Sequence, residues 1–171
     1  MGRINKDKGI YDLAHSFQSL LLKNKDILLF IVGYDEEGSI DKIKSIIEDE
    51  QFFTYYGSTD VPEKIMHIGD VFCLPSYREG FGTSVIEASS CKLAIICSDT
   101  YGLRDTIIDG ETGLRHKTGS IPELQDKMGI LASNRDLIKS FGDKGYDYVQ
   151  KQFSADFVSN EWLKFYSGIL G

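Results

Sequence analysis

The chain has 171 residues, 42% of them hydrophobic and 26% charged, which is ordinary for one globular domain with a sizeable core. Its net charge of −7 excludes a general nucleic-acid surface, because such a surface needs a basic field. No apolar run approaches the roughly 20 residues needed to cross a bilayer. The three scattered cysteines, Cys73, Cys91 and Cys97, indicate the reduced thiols of a cytoplasmic protein.

Apolar and amphipathic blocks alternate along the chain. Apolar side chains at helical spacing predict a helix from Ile10 to Leu21, and the continuous apolar run Ile27–Val32 is typical of a strand buried on both faces. The further predicted elements are a helix over 40–48, a strand over 52–56, a helix starting within 60–63, a strand over 71–74, a helix over 84–91, a strand over 93–97, a short strand over 112–115, and helices from 121 onward. The alternation predicts a single three-layered α/β domain over residues 1–171, with a doubly wound, Rossmann-like parallel sheet and a helical C-terminal segment.

The most informative segment is the run from Glu79 to Glu87, which reads Glu-Gly-Phe-Gly-Thr-Ser-Val-Ile-Glu and follows a predicted strand. Gly80 and Gly82 let the backbone turn sharply and approach a ligand. The helix that follows presents N–H groups and the positive end of its dipole to an anion. A carboxylate on each side can accept hydrogen bonds from hydroxyls. Phosphate together with hydroxyls predicts a sugar nucleotide as ligand.

The run from Pro75 to Ala88 resembles the signature of the retaining family-four glycosyltransferases. Three other pieces match in the same order: Gly2-Arg3 with Lys8-Gly9, then 69–71, then 109–114. The resemblance covers about residues 2–150. It implies the GT-B architecture of two Rossmann-like domains, of which this chain would be the C-terminal, donor-binding half.

The resemblance implies a role for each matching residue. Arg3 and Lys8 match a basic pair that holds the diphosphate of the nucleotide sugar. Glu79 matches the catalytic glutamate, which contacts the donor sugar near the reacting carbon, and Glu87 matches the glutamate that accepts from the ribose. No metal or other cofactor is implied, and the donor is expected to be UDP-linked. The remaining donor-binding residues are those of the turn, namely Gly80, Phe81, Gly82, Thr83 and Ser84.

The resemblance also predicts what lies outside this chain. An N-terminal acceptor-binding domain is expected to be absent from it, so the isolated domain is expected to be inactive. The partners are then a nucleotide sugar and a glycan or lipid-linked acceptor, with no nucleic acid. Any membrane contact, at the inner face of the cell membrane, would come through the other half. Arg104-Asp105 stands where the family often has Pro-Glu, a variant that resembles bacterial capsule and glycan-assembly members.

Simpler structural roles compete with these assignments. Ser84 and Glu87 fit a capping box, in which the glutamate would bond a backbone N–H instead of a ribose. Glu79 could be a solvated loop residue or a partner of Arg78. His116 is predicted to lie exposed in a polar loop.

Two other functions fit the same residues. One is a nucleotide-sugar-binding module that never catalysed transfer. The other is a sugar-nucleotide epimerase of related fold, for which no acid–base residues can be placed.

Overall fold

The computed structural model describes residues 2–170, with side chains through residue 169. Helices and strands alternate through most of this range, and short 3-10 turns lie between some of them. In chain order the elements are α1 (Ile10–Leu21), β1 (Leu29–Val32), α2 (Ser39–Ile46), β2 (Phe53–Gly57), α3 (Pro62–Met66), β3 (Val71–Leu74), α4 (Thr83–Ser90), β4 (Ala94–Ser98), β5 (Gly113–His116), α5 (Ile121–Ala132), α6 (Arg135–Phe153) and α7 (Ala155–Leu170).

All the strand pairs are parallel. β1 pairs with β2, while β4 lies between β3 and β5 in a second sheet. The predicted parallel α/β fold is confirmed, although in residues 2–170 its strands form two sheets rather than one. Because parallel strands end at a common edge, the loops after β3 and β4 meet there.

The second sheet is covered on both faces, as the predicted three layers require. Ile95 and Cys97 of β4 belong to a core cluster with α4, whereas Ala94 and Ile96 belong to a cluster with α5 and α6. Alternate residues of one strand therefore pack against different helical layers. This burial raises the pKa of the Cys97 thiol to about 12, as expected for an inert core cysteine.

The first strand is shorter and less buried than predicted. β1 spans only Leu29–Val32, and Phe30 is exposed on the outer face, where its ring packs against that of Tyr56. Leu28 precedes the strand and is also exposed. The hydrophobic run is continuous, but a core cluster covers only the face that carries Ile31. The prediction that both faces are buried was wrong.

His116 is buried rather than exposed, so that prediction was also wrong. It is the last residue of β5, and Asp99 N–H donates to its backbone oxygen. Nδ1 lies 2.9 Å from the carbonyl oxygen of Lys117, while Nε2 is buried without a hydrogen-bond partner among the described residues. Burial lowers the pKa of His116, although the carbonyl of Lys117 opposes that shift.

The last helix stands apart from the three layers. The side chains of α7 that the structure describes are all exposed, including a cluster of Trp162, Phe165 and Tyr166, whose rings contact one another. Within residues 2–170 no helix combines the length and the apolar character that a bilayer crossing requires.

Candidate active site

The centre of the candidate site is an ion pair between Lys8 and Glu79. Lys8 Nζ lies 2.5 Å from Glu79 Oε1, and the two side chains are only 24% and 13% exposed. Ser76 Oγ lies 3.4 Å from the same carboxylate oxygen. Two residues that are 71 positions apart, and that the family resemblance assigns to diphosphate and sugar, are therefore in direct contact. The partner of Glu79 is Lys8, and not Arg78.

Gly9 brings Lys8 to Glu79. It is the N-cap of α1 and has a φ of +66°, which favours glycine. A Cβ built at Gly9 would lie 2.1 Å from the carbonyl oxygen of Pro75. The start of α1 can therefore rest directly on the loop after β3, which carries Glu79.

The loop after β3 is held from both sides. On the α1 side, Tyr77 N–H donates to the backbone oxygen of Asp7 at 2.8 Å, and the Tyr77 hydroxyl donates to Asp12 Oδ2 at 2.6 Å. The hydrogen bond to Asp12, together with burial, raises the pKa of Tyr77. On the β4 side, Ser98 Oγ donates to the backbone oxygen of Ser76 at 2.5 Å. These contacts fix the backbone on which Glu79 sits.

The start of the helix after the glycine-rich turn was predicted to present its N–H groups to an anion, but two N–H groups there donate to protein oxygens instead. Gly82 N–H donates to the oxygen of Gly102 at 3.0 Å, and Thr83 N–H donates to that of Phe81 at 2.8 Å. Gly82 is engaged because the turn packs closely under the loop after β4. Ser84 N–H has no protein acceptor within residues 2–170.

Phe81 precedes Ser84 in the chain, and Glu87 follows it. The Phe81 ring packs edge-on against Phe153 at the end of α6, with ring centroids 5.9 Å apart. The predicted capping box is absent from the part of the chain that the structure describes, because α4 begins at Thr83 with Gly82 as its N-cap, and no side chain of residues 2–169 caps it. Glu87 is exposed and free of that structural role. Its assignment to a ribose stays a prediction.

Arg3 lies beside the same site, held by an acidic partner. Its Nη1 is 3.2 Å from Glu36 Oε1, and Asn5 Nδ2 donates to the other oxygen of Glu36 at 2.7 Å. The hydrogen bond from Asn5, together with the charge of Arg3, lowers the pKa of Glu36. Backbone bonds from Gly2 N–H to Val32 and from Ile4 N–H to Tyr34 place this segment along the end of β1.

An open cleft of about 540 Å³ joins these parts. Its lining includes the predicted residues Arg3, Lys8, Glu79 and Gly80, but not Phe81, Gly82, Thr83, Ser84 or Glu87. The lining residues that the sequence prediction missed are Asn5, Asp7, Tyr77, Arg78, Thr100 and Tyr101. Thr100 and Tyr101 could have been found from their position just after a predicted strand, on the rim where ligands bind in α/β sheets.

Most of the chain matches one known protein family. Residues 1–148 match the family described as glycosyl transferases group 1. The capsular polysaccharide biosynthesis glycosyltransferase CapM of Staphylococcus aureus is 30% identical over 99% of this chain and 45% of its own length. N,N'-diacetylbacillosaminyl-diphospho-undecaprenol alpha-1,3-N-acetylgalactosaminyltransferase of Campylobacter jejuni is 28% identical over 95% of the chain and 42% of its own length. The chain therefore spans less than half the length of these relatives.

Solved structures have the same fold. S. aureus TarM, crystallised as a mutant with fondaparinux, alpha-GlcNAc-glycerol and UDP, is 28% identical and superposes with a TM-score of 0.86 over 95% of this chain and 34% of that chain. The C-terminal domain of LpcC, a glycosyl transferase group 1 family protein from Francisella tularensis, is 24% identical, with a TM-score of 0.80 over 91% of this chain and 84% of that chain. The LpcC match shows the fold alone.

Proposed function

The chain belongs to the family described as glycosyl transferases group 1, and we propose that it is the donor-binding half of such an enzyme. The complete protein would move a sugar from a nucleoside diphosphate to a glycan or lipid-linked acceptor, with retention of the anomeric configuration. The observation that carries this proposal is the contact between Lys8 and Glu79 within the cleft. It joins a cation suited to phosphate and a carboxylate suited to sugar hydroxyls at one point.

The cleft supplies the charges that the donor needs. Lys8 and Arg3 line the cleft and can meet the diphosphate. Ser84 N–H, at the start of α4 and outside the cleft lining, can add a backbone donor. The charge that develops on the leaving diphosphate would be stabilised by these groups, so the proposed mechanism needs no metal. The oxygen of the acceptor hydroxyl would bond the anomeric carbon on the same face from which the diphosphate oxygen leaves. The departing diphosphate would take the proton of that hydroxyl, and attack on that face accounts for retention.

Glu79 would change partners when the donor binds. In the structure its carboxylate is neutralised by Lys8. A diphosphate would compete for the ammonium group, and the carboxylate would then accept hydrogen bonds from the hydroxyls of the sugar. Glu87, exposed on α4, is the proposed acceptor for the ribose hydroxyls. In this arrangement the sugar contact of Glu79 depends on the phosphate contact of Lys8.

The acceptor is proposed to bind outside this chain, on an N-terminal domain. The cleft is open to solvent, so another domain could cover it. We also propose a UDP-linked donor, because TarM was crystallised with UDP. The proposed location is the cytoplasm or the inner face of the cell membrane, where an undecaprenol-linked acceptor like that named for the Campylobacter relative would be reached.

Calorimetric titration of the chain with UDP, GDP and their hexose conjugates tests donor binding. We expect Lys8→Met to weaken binding of the diphosphate by about 10- to 100-fold, as for loss of a charge-assisted contact. Lys164→Met is the matched control, because it also breaks a lysine–glutamate ion pair but lies on α7. A folded wild-type chain that binds neither nucleotide would refute the proposal.

Catalysis is tested in the full-length protein. Glu79→Gln keeps the size of the side chain and removes its charge, so turnover should fall by at least about 100-fold while UDP still binds. Turnover at the wild-type rate would exclude the catalytic role. Conversion of a UDP-sugar to its epimer without any acceptor would instead support the epimerase alternative.

A further inference from the structure

The cleft has a second wall that the proposed function does not use. This wall is formed by Arg78 from the loop after β3 and by Thr100 and Tyr101 from the loop after β4. Both loops follow the carboxyl ends of neighbouring parallel strands. The three residues therefore line the same space as Lys8 and Glu79.

Close backbone contacts hold the two loops together. A Cβ at Gly102 would lie 2.2 Å from the oxygen of Glu79 and 2.7 Å from that of Gly80. Gly82 N–H donates to the oxygen of Gly102 at 3.0 Å. The loop that carries Thr100 is thus in van der Waals contact with the backbone beside Arg78. The wall is built into the fold.

Arg78 is a cation of the cleft lining that forms no ion pair with the described residues. Arg3 pairs with Glu36 and Lys8 with Glu79, whereas no carboxylate of the described residues lies within ion-pair distance of Arg78. Asp7, the other acidic residue of the lining, is likewise outside these pairs. A guanidinium with no carboxylate partner can donate two parallel hydrogen bonds to a carboxylate of a ligand.

Thr100 adds an unsatisfied donor to the same wall. The residue is only 9% exposed, and its hydroxyl is buried without a hydrogen-bond partner among the described residues. A buried polar group of this kind costs stability unless a ligand or water completes it. The nearby ring of Tyr101 is 86% exposed at the rim of the cleft.

We propose that Arg78 and Thr100 bind a carboxylate carried by the donor sugar, so that the donor belongs to the nucleoside-diphosphate uronic acids. This inference rests on the proposed donor-binding function and narrows its substrate class. Arg78 directly precedes Glu79, the residue assigned to the sugar, whereas Lys8 and Arg3 meet the diphosphate. A neutral hexose would leave the guanidinium of Arg78 without a partner.

Titration of the chain with matched ligands tests this assignment. UDP-glucuronate and UDP-galacturonate are compared with UDP-glucose, UDP-galactose and UDP alone, and GDP-mannuronate is compared with GDP-mannose if GDP is the nucleotide that binds. We expect one uronate to bind about tenfold or more tightly than its neutral partner, which is the range of a charge-assisted hydrogen bond. Arg78→Gln should abolish that preference without changing the affinity for the bare nucleotide.

Two further variants and one control sharpen the result. Arg78→Lys should keep part of the preference, because the charge remains and the bidentate geometry is lost. Thr100→Val should reduce it a few-fold. Arg104→Gln should leave it intact, since Arg104 pairs with Asp99 and lies outside the cleft lining.

Each other outcome overturns the inference in a distinguishable way. Equal affinity for uronates and neutral sugars would show that Arg78 reads no carboxylate. An equal loss of all ligands, UDP included, in Arg78→Gln would assign Arg78 to the diphosphate. Failure of the wild-type chain to bind any nucleotide would refute the proposed function itself, and the inference with it.

Discussion

Replacement of Gly9 by alanine tests two reasons for a glycine at the start of α1, its left-handed backbone conformation and its close approach to Pro75. Gly9 has a φ of +66°, and a Cβ there would lie 2.1 Å from the oxygen of Pro75. Gly38 is a matched control: it is the N-cap of α2, has a φ of +68°, and has open space where its Cβ would be built. Both variants introduce the same backbone strain, but only Gly9→Ala introduces a clash.

The expected magnitudes follow from that difference. A left-handed alanine costs about 1–2 kcal/mol at either site. At Gly9 the clash adds about 1–3 kcal/mol, as for overpacking, because backbone must move rather than a flexible side chain. We therefore expect Gly38→Ala to lower the free energy of unfolding by about 1–2 kcal/mol and Gly9→Ala by about 2–5 kcal/mol. Urea denaturation at constant pH measures both.

Nucleotide binding provides the second readout. Relief of the clash must move the start of α1 away from the loop that carries Glu79, so Lys8 should lose its position and the affinity for UDP should fall. Gly38→Ala should bind UDP as the wild type does, because Gly38 is not part of the cleft lining. Equal losses of stability in the two variants would refute the argument from close approach. Normal UDP affinity in Gly9→Ala would show that the position of Lys8 does not depend on this close approach.

Two further predictions concern the loop contacts and the buried histidine. Gly102→Ala should lower both stability and UDP affinity, because its Cβ would lie 2.2 Å from the oxygen of Glu79. Gly80→Ala should alter stability far less, because a Cβ built at Gly80 meets open space. Urea denaturation measures the stability of both variants, and titration measures their affinity for UDP. The pKa of His116 is lowered in the folded state, so its neutral form stabilises the fold above the usual histidine pKa of about 6.5, and that contribution is lost as pH falls below this value. His116→Gln should therefore lose less stability than the wild type between about pH 7 and pH 5, and identical pH profiles in urea denaturation would contradict this.

The parts of the fold that depend on local pattern were predictable from the sequence. The bounds of α1 and β3 agree with the periodicity and the apolar run that predicted them. The exposure of Phe30 was not predictable, because whether a second layer covers a strand depends on the rest of the fold. His116 shows the converse: its neighbours are polar, yet pairing of β5 with β4 carries it into the interior.

The candidate site was likewise predictable only where it depends on a local sequence pattern. The motif that contains Glu79 was recognisable as a local pattern, and so was the pair of glycines in the turn. The contact of Glu79 with Lys8 joins distant parts of the chain, and no spacing rule could have paired them. The engagement of Gly82 N–H was equally hidden, because its acceptor, the oxygen of Gly102, lies on the neighbouring loop.

The exposure of α7 has a consequence for how the molecule unfolds. A helix of 16 residues is near the lower limit of length at which a helix persists in water without tertiary packing. Because the three core clusters contain no residue of α7, its opening would expose almost no buried core. Amide hydrogens over residues 155–170 should then exchange with solvent through local melting, while those of β4 exchange only when the whole domain opens. We therefore expect two thermodynamic units, a cooperative body and the helix α7, which opens locally at little cost in free energy.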